Sequence, residues 1–348
     1  MLEHGGNILA AARLYGIAIA SEEWIDLSTG INPNGWPISE VPHSAWQRLP
    51  ESNDELAAAA KRYYKSDSLL SVAGVQAALQ ALPGLRVASR VGIITPSYAE
   101  HYRAWSQHGH RVEALQYHEL SAASEVLDVI VICNPNNPTG NLLSPSELRE
   151  LHKKLAARKG WLLIDESFID AVPELSMVGS SGQKGLIVLR SLGKFFGLPG
   201  ARVGFVHGTS DLLNKLEECL GPWAVNGPAR WIAARALSDE PWQSQARRQL
   251  AQQSARLSGT LARSGLTVSG GTVFFQWVVD ARAPQLHEFL ARRGILTRLF
   301  DNPVSIRFGL PPEDKAWTRL LDGLSAYSQE LSNASQCFSP ATSVPSAK

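Results

Sequence analysis

Ser191-Leu192-Gly193-Lys194-Phe195-Phe196-Gly197-Leu198-Pro199-Gly200-Ala201-Arg202 places a hydroxyl, an amine and a guanidinium in one glycine-rich loop. Residues 186–189, just before it, form a short apolar run rich in branched side chains, the pattern of a buried strand. Similar runs occur at 91–95, 128–133, 161–164 and 202–206, with helical stretches between them. This alternation predicts an α/β fold whose large domain has a mostly parallel sheet flanked by helices. Ligands of such sheets bind along the carboxyl edge of the strands. Asp165 closes one run and Ser191 another, so both fall on that edge. Asn134-Pro135-Asn136-Asn137-Pro138-Thr139-Gly140 follows the run ending at Cys133 and presents an amide there.

Helix boundaries support the alternation. Ser52 and Glu55 read as a capping box ahead of an alanine-rich helix reaching Tyr64; Ser144, Pro145 and Glu147 read the same way, with Lys159 and Gly160 as a stop. After Asp211 the pattern changes to helices at 212–220, 228–237 and 241–263. A strand pair around 266–279, a helix ending near Arg293, a strand at 304–308 and a last helix at 312–331 follow. The expected organisation is an N-terminal arm with part of a small domain at 1–40, a large domain at 41–210, a small α+β domain at 211–331 and a disordered tail, poor in large apolar residues, at 332–348.

The 348 residues, 44% hydrophobic and 19% charged, have the composition of a globular protein, and the net charge of +1 argues against nucleic acid or an acidic membrane as partner. A small molecule is the expected partner. Cys133, Cys219 and Cys337 show no paired spacing, and Glu3 with Arg13 breaks any leader or spanning pattern, so a reducing, cytoplasmic setting is expected. There is no G-x-G-x-x-G after a strand, and Gly193-Lys194 lacks the earlier glycine of a P-loop. His4, His101, His108 and His110 have no carboxylate or cysteine company in the sequence; they read as surface or core residues, and no metal is expected.

Singly, these residues are ordinary: a lone lysine is a solvated surface residue in roughly nine cases of ten. Jointly, the Asn-Pro-x-Asn-Pro-Thr-Gly turn, the strand-end Asp165 and Ser191-x-x-Lys194 with Arg202 eight residues on resemble the fold-type I enzymes that use pyridoxal 5'-phosphate (PLP), such as aspartate and histidinol-phosphate aminotransferases. The resemblance implies that Lys194 holds PLP as a Schiff base and moves protons at the substrate α-carbon. It implies that Asp165 pairs with the ring nitrogen and Asn137 with the phenolic oxygen. Ser191, Arg202 and the backbone of Gly74, Val75 and Gln76 would bind the phosphate, Tyr98 would stack on the ring, and Arg307 would take the substrate carboxylate.

His4-Gly5-Gly6-Asn7, the stretch Asp26-Leu27-Ser28-Thr29-Gly30-Ile31-Asn32 and Ile306-Arg307-Phe308-Gly309-Leu310-Pro311 resemble the L-threonine-O-3-phosphate decarboxylase family of cobalamin biosynthesis. Adjacent glycines can turn successive N–H groups inward as an anion nest. Gly5 and Gly6, with His4, Asn7, Gly30, Asn32, Arg298 and Arg307, are the expected substrate residues. The resemblance implies a homodimer that releases carbon dioxide to leave (R)-1-aminopropan-2-ol O-phosphate. A histidinol-phosphate-type aminotransferase is the enzymatic alternative, because the anion anchors do not say which α-carbon bond breaks. A catalytically silent regulator or scaffold is a second alternative, and retention of Lys194, Asp165, Asn137 and Arg202 together argues against it. The chain departs from the family at Phe168, where many relatives have tyrosine; at Gly193, where some have a hydroxyl; and at Leu49-Pro50, where a Tyr-Pro pair is common.

Overall fold

The computed structural model describes residues 4–17 and 24–337. Its strands are β1 (Ile25–Asp26), β2 (Leu69–Val72), β3 (Arg90–Ile94), β4 (Arg111–Leu115), β5 (Val129–Cys133), β6 (Trp161–Asp165), β7 (Leu186–Ser191), β8 (Gly204–His207), β9 (Gly270–Thr272), β10 (Phe275–Val279), β11 (Ile295–Leu296), β12 (Arg298–Asp301) and β13 (Val304–Gly309). A seven-stranded sheet has the order β2-β8-β7-β6-β5-β3-β4. From β4 through β7 all pairings are parallel. The strand β5, Val-Ile-Val-Ile-Cys, is buried on both faces, as its unbroken apolar sequence requires. In the parallel register Cys133 lies beside Asp165, so the cysteine and the acid share one face at the carboxyl edge.

Two expectations about this sheet are corrected. Arg202 does not open a strand; it stands in the left-handed region at φ +53° after a tight turn at Pro199–Ala201, and β8 begins at Gly204. Moreover, β8 runs antiparallel to β7 and to β2. An apolar run shows burial, not direction.

The helix Pro145–Ala157 has the predicted reciprocal cap: Glu147 N–H donates to Ser144 Oγ, and Ser144 N–H donates to the Glu147 carboxylate at 2.8 Å. The helix Glu55–Tyr64 does not start on Ser52. Its cap is Asp54, whose carboxylate accepts from the N–H groups of Leu56 and Ala57 and also holds the Arg230 guanidinium. A second sheet, β12-β13-β10-β9, is antiparallel and is covered by the long helix Glu240–Arg263, with Gln276 on β10 donating to Ser254 at 2.8 Å. The N-terminal strand β1 pairs in parallel with β11, tying the start of the chain to this C-terminal region. The last helix, Asp314–Cys337, runs past Ser332, so the tail does not begin there; residues 338–348 of the expected tail lie outside the described residues. Among the described residues no helix is long and apolar enough to cross a membrane.

Candidate active site

The lysine loop is anchored by its own apolar side chains. Leu192, Phe195 and Phe196, on both sides of Lys194, are fully buried, and lifting each out would cost about 1.5–3 kcal/mol. Residues 32–36 clasp the loop from outside: Asn32 N–H donates to Lys194 O at 3.0 Å, Asn32 Nδ2 to Phe195 O at 2.9 Å, and Trp36 N–H to Phe196 O at 2.8 Å. Gly35 and Gly197 meet backbone to backbone, and Gly197 takes φ +63°, so neither position accepts a side chain. Lys194 Nζ thus comes to 5.5 Å from the centre of the Phe168 ring. Burial first, and then the charge of Arg307, pushes its amine down to about 8.

Asp165 ends β6 and is buried. Burial pushes its carboxyl up, but hydrogen bonds from His101 Nε2 at 3.0 Å and from Ser167 Oγ and N–H at 2.5 and 3.0 Å outweigh burial and bring it below the usual range. For His101, burial opposes the charge, while Cys133 and Asp165 overcome it and raise the imidazole to about 10. The two therefore form a buried ion pair. The sequence reading that left His101 without carboxylate or cysteine company is corrected, because donor atoms of His101, Cys133 and Asp165 lie within 4.8 Å of one another. The available signal was spacing: His101 follows Tyr98 by one helical turn and so faces the same sheet edge.

At the other end of the cleft, the Arg202 guanidinium packs against Gly74, where a Cβ would come within 2.8 Å of it. The helix Val75–Ala81 starts without a side-chain cap, leaving first-turn N–H groups for a ligand. Tyr98 donates its hydroxyl to Gln76 Oε1 at 3.2 Å; burial, then Glu100, pushes its phenol up to about 12, so it stays protonated. Asn134 and Asn136 staple the turn that carries them, Asn134 to Leu143 and Asn136 to Pro96 and Thr139. Asn137 instead enters the cleft. Gly74, Val75, Gln76, Tyr98, Asn137, Asp165, Ser191, Lys194 and Arg202 all line this one cleft. An ionised carboxylate, a partly neutral amine, and a guanidinium beside uncapped amides are what a pyridinium, an aldehyde and a phosphate require, so the residues fit PLP.

The expected substrate residues separate into two groups. Arg307, only 6% exposed, donates to Asn137 Oδ1 and, at 2.6 Å, to Ser28 O. Burial, then Arg298, pushes it down to about 9, which leaves it a cation at neutral pH. Arg298 sits directly across from it in the β12–β13 register. The N-terminal residues are differently engaged. Asn7 caps the helix Ile8–Tyr15, Asn32 holds the lysine loop, and Gly30 packs against Phe168 and Phe275. The Gly6 N–H, expected to point at an anion, donates to Ser28 Oγ at 2.7 Å. Gly5 passes so close to Ser28 O that a Cβ would lie 2.4 Å from it, which explains the glycine there. His4 lies against Glu100. Leu49, at the place of the expected Tyr-Pro pair, is 65% exposed.

Comparison with known proteins gives this geometry a family. The sequence matches the aminotransferase class I and II family over residues 23–320. It is 51% identical to a threonine-phosphate decarboxylase of Pseudomonas aeruginosa, over 92% of this chain and 96% of that one. The chain belongs to the aminotransferase class I and II family, among the threonine-phosphate decarboxylases. A threonine-phosphate decarboxylase of a Sinorhizobium species is 41% identical over 92% of this chain and 97% of its own length. A histidinol-phosphate aminotransferase of Cronobacter sakazakii reaches 40% identity, but over only 35% of each chain. Among solved structures, a histidinol-phosphate aminotransferase of Sinorhizobium meliloti in complex with pyridoxal-5'-phosphate superposes with a TM-score of 0.82 at 19% identity, covering 95% of this chain and 96% of that one. The L-threonine-O-3-phosphate decarboxylase of Porphyromonas gingivalis gives 0.73 at 22% identity, covering 87% and 99%. These last two likenesses show the shared fold.

Proposed function

We propose that this chain uses PLP to decarboxylate L-threonine O-3-phosphate, giving (R)-1-aminopropan-2-ol O-phosphate and carbon dioxide, as a cytoplasmic homodimer serving cobalamin biosynthesis. The carrying observation is the pair Arg298 and Arg307, facing each other across two strands with Arg307 buried beside the lysine cleft. Like charges directly opposite on a sheet repel, and a ligand with an anion at each end relieves that repulsion. Full-length identity to the decarboxylases supports the same reading, whereas the aminotransferase identity is confined to about a third of the chain.

Bound PLP supplies a cationic ring that takes up the electron pair left when a bond to the α-carbon breaks. Asp165, ionised and fixed by His101 and Ser167, would keep the proton on the ring nitrogen. Asn137 has its Oδ1 committed to Arg307, so its Nδ2 is the atom that would donate to the phenolic oxygen. Arg202, Ser191 and the amides of Val75 and Gln76 would hold the cofactor phosphate. Arg307 would grip the substrate carboxylate through its planar fork, and the angle of that grip selects which α-carbon bond breaks. Arg298 and the arm carrying His4 would face the phosphoryl end. Lys194 Nζ would return a proton to the α-carbon, so one C–C bond is replaced by one C–H bond and no oxidant or keto acid is consumed.

The deciding experiment supplies L-threonine O-3-phosphate without a keto acid and follows carbon dioxide and the amine. Continuous release is expected, because transamination would stall after one turnover. No carbon dioxide, together with steady turnover of histidinol phosphate and 2-oxoglutarate, would replace the decarboxylase reading with the aminotransferase one.

A further inference from the structure

We infer that Glu100 is a positioning residue that docks the N-terminal arm and thereby sets the affinity for the phosphoryl end of the substrate; this rests on the decarboxylase reading. Glu100 stands in the first turn of the helix Ala99–Gln107, where an acid is ordinary. Its burial is not ordinary: it is only 5% exposed, and a buried carboxylate is costly unless paired and hydrogen-bonded. Its partners come from three places. Gln76 and Gln80, one turn apart on the helix Val75–Ala81, donate their amides at 3.2 and 3.3 Å. Arg103 of its own helix stands off at 3.9 Å. The shortest contact, 2.8 Å, is to His4 Nε2, 96 residues away in the arm.

This arrangement joins the arm to the cofactor cleft. With Gln76 Nε2 turned to Glu100, its Oε1 is left to accept from the Tyr98 hydroxyl, which fixes the amide's orientation. The His4 ring lies 6.0 Å from the Tyr98 ring. On its other side the arm is held by Gly6 donating to Ser28 Oγ, and Ser28 O in turn accepts from Arg307. The arm is therefore fastened at two points that flank the substrate end. Of these, the Glu100 contact is made by side chains alone. A helix-capping acid would need neither burial nor a residue from the arm. With Nε2 on Glu100, Nδ1 is the His4 ring atom left over, and in the imidazolium form it can donate to a substrate phosphate.

The test uses holoenzyme and the variants Glu100→Gln, His4→Asn and the double variant. Binding of L-threonine O-3-phosphate is titrated calorimetrically on borohydride-reduced holoenzyme, which cannot turn over; KM, kcat and the cofactor absorbance are measured on active enzyme. Losing one charge-assisted contact is expected to weaken substrate binding about tenfold. KM should rise much more than kcat falls, the cofactor band should be unchanged, and the double variant should be no worse than the weaker single one. Losses that multiply in the double variant, or equal loss of PLP and substrate in Glu100→Gln, would overturn the inference. So would a Glu100→Gln enzyme that binds as tightly as wild type while wild type releases carbon dioxide. Wild type that binds the substrate without releasing carbon dioxide sinks the decarboxylase reading alone.

Discussion

An ordinary lysine is about 0.03% neutral at pH 7, whereas one whose pKa lies near 8 is about one tenth neutral, and burial with Arg307 brings Lys194 to about 8. Capture of PLP by the apoenzyme needs the neutral amine, so its rate should rise with pH through about 8 and level off above. Stopped-flow absorbance at fixed PLP reads this directly; a rate still climbing at pH 10 would mean the amine is not depressed. The stability consequence has the same sign. Between pH 8 and the ordinary lysine value the unfolded chain binds more protons than the folded one, so apoenzyme stability rises with pH across that window. Asp165→Asn removes the charge that faces His101 and that, in the proposed function, would face the ring nitrogen. PLP should remain bound through Lys194, Arg202 and Ser191, while kcat falls about 10²–10³-fold. Turnover within a few-fold of wild type would show that the ring proton is held by another group.

Among the elements, local signals were readable where one short motif decides the outcome. Ser144 and Glu147 cap their helix reciprocally as read. Ser52 does not, because Asp54 offers a stronger acceptor two residues later and is itself fixed by Arg230, 176 residues away. Strand direction was unreadable for β8, since burial on both faces looks the same either way. The register that sets Arg298 against Arg307 was also unreadable, since it depends on how a hairpin closes around residues 302 and 303. That register makes a prediction at this scale. Arg298→Ala should cost about 1.5–3 kcal/mol of substrate binding, the loss of one charge-assisted contact, with PLP affinity unchanged. It should also raise the Arg307 pKa, because Arg298 is a cause of its depression. Equal weakening of both ligands, measured by titration, would indicate a folding defect instead.

Over the whole molecule, the residues that line the proposed cofactor cleft were legible because most sit on one strand edge and fall within short motifs. The contacts that support them were not: His101 meets Asp165 across 64 residues, and His4 meets Glu100 across 96. Such pairs exist only once the helices have docked on the sheet. The turn after β5 likewise meets β9 of the second sheet at backbone distance, where only glycine fits. A Cβ on Gly140 would lie 1.9 Å from Gly271 O, and one on Gly270 would lie 2.1 Å from Thr139 O. This joint ends the turn that carries Asn137, whose amide oxygen accepts from Arg307 on β13. Gly140 also takes φ +77°, a conformation that costs a residue with a Cβ about 1–3 kcal/mol. Gly140→Ala must therefore push β9 away, and with it the register between Asn137 and Arg307. We expect an unfolding free energy, read from a urea titration, lowered by at least that strain, and a substrate KM raised by a larger factor than the PLP dissociation constant. Gly179→Ala is the control, since nothing lies within 4 Å of the added atom, and it should leave both quantities as they are. A Gly140→Ala protein with wild-type stability and KM would show that the joint between this turn and β9 does not set the geometry of the site.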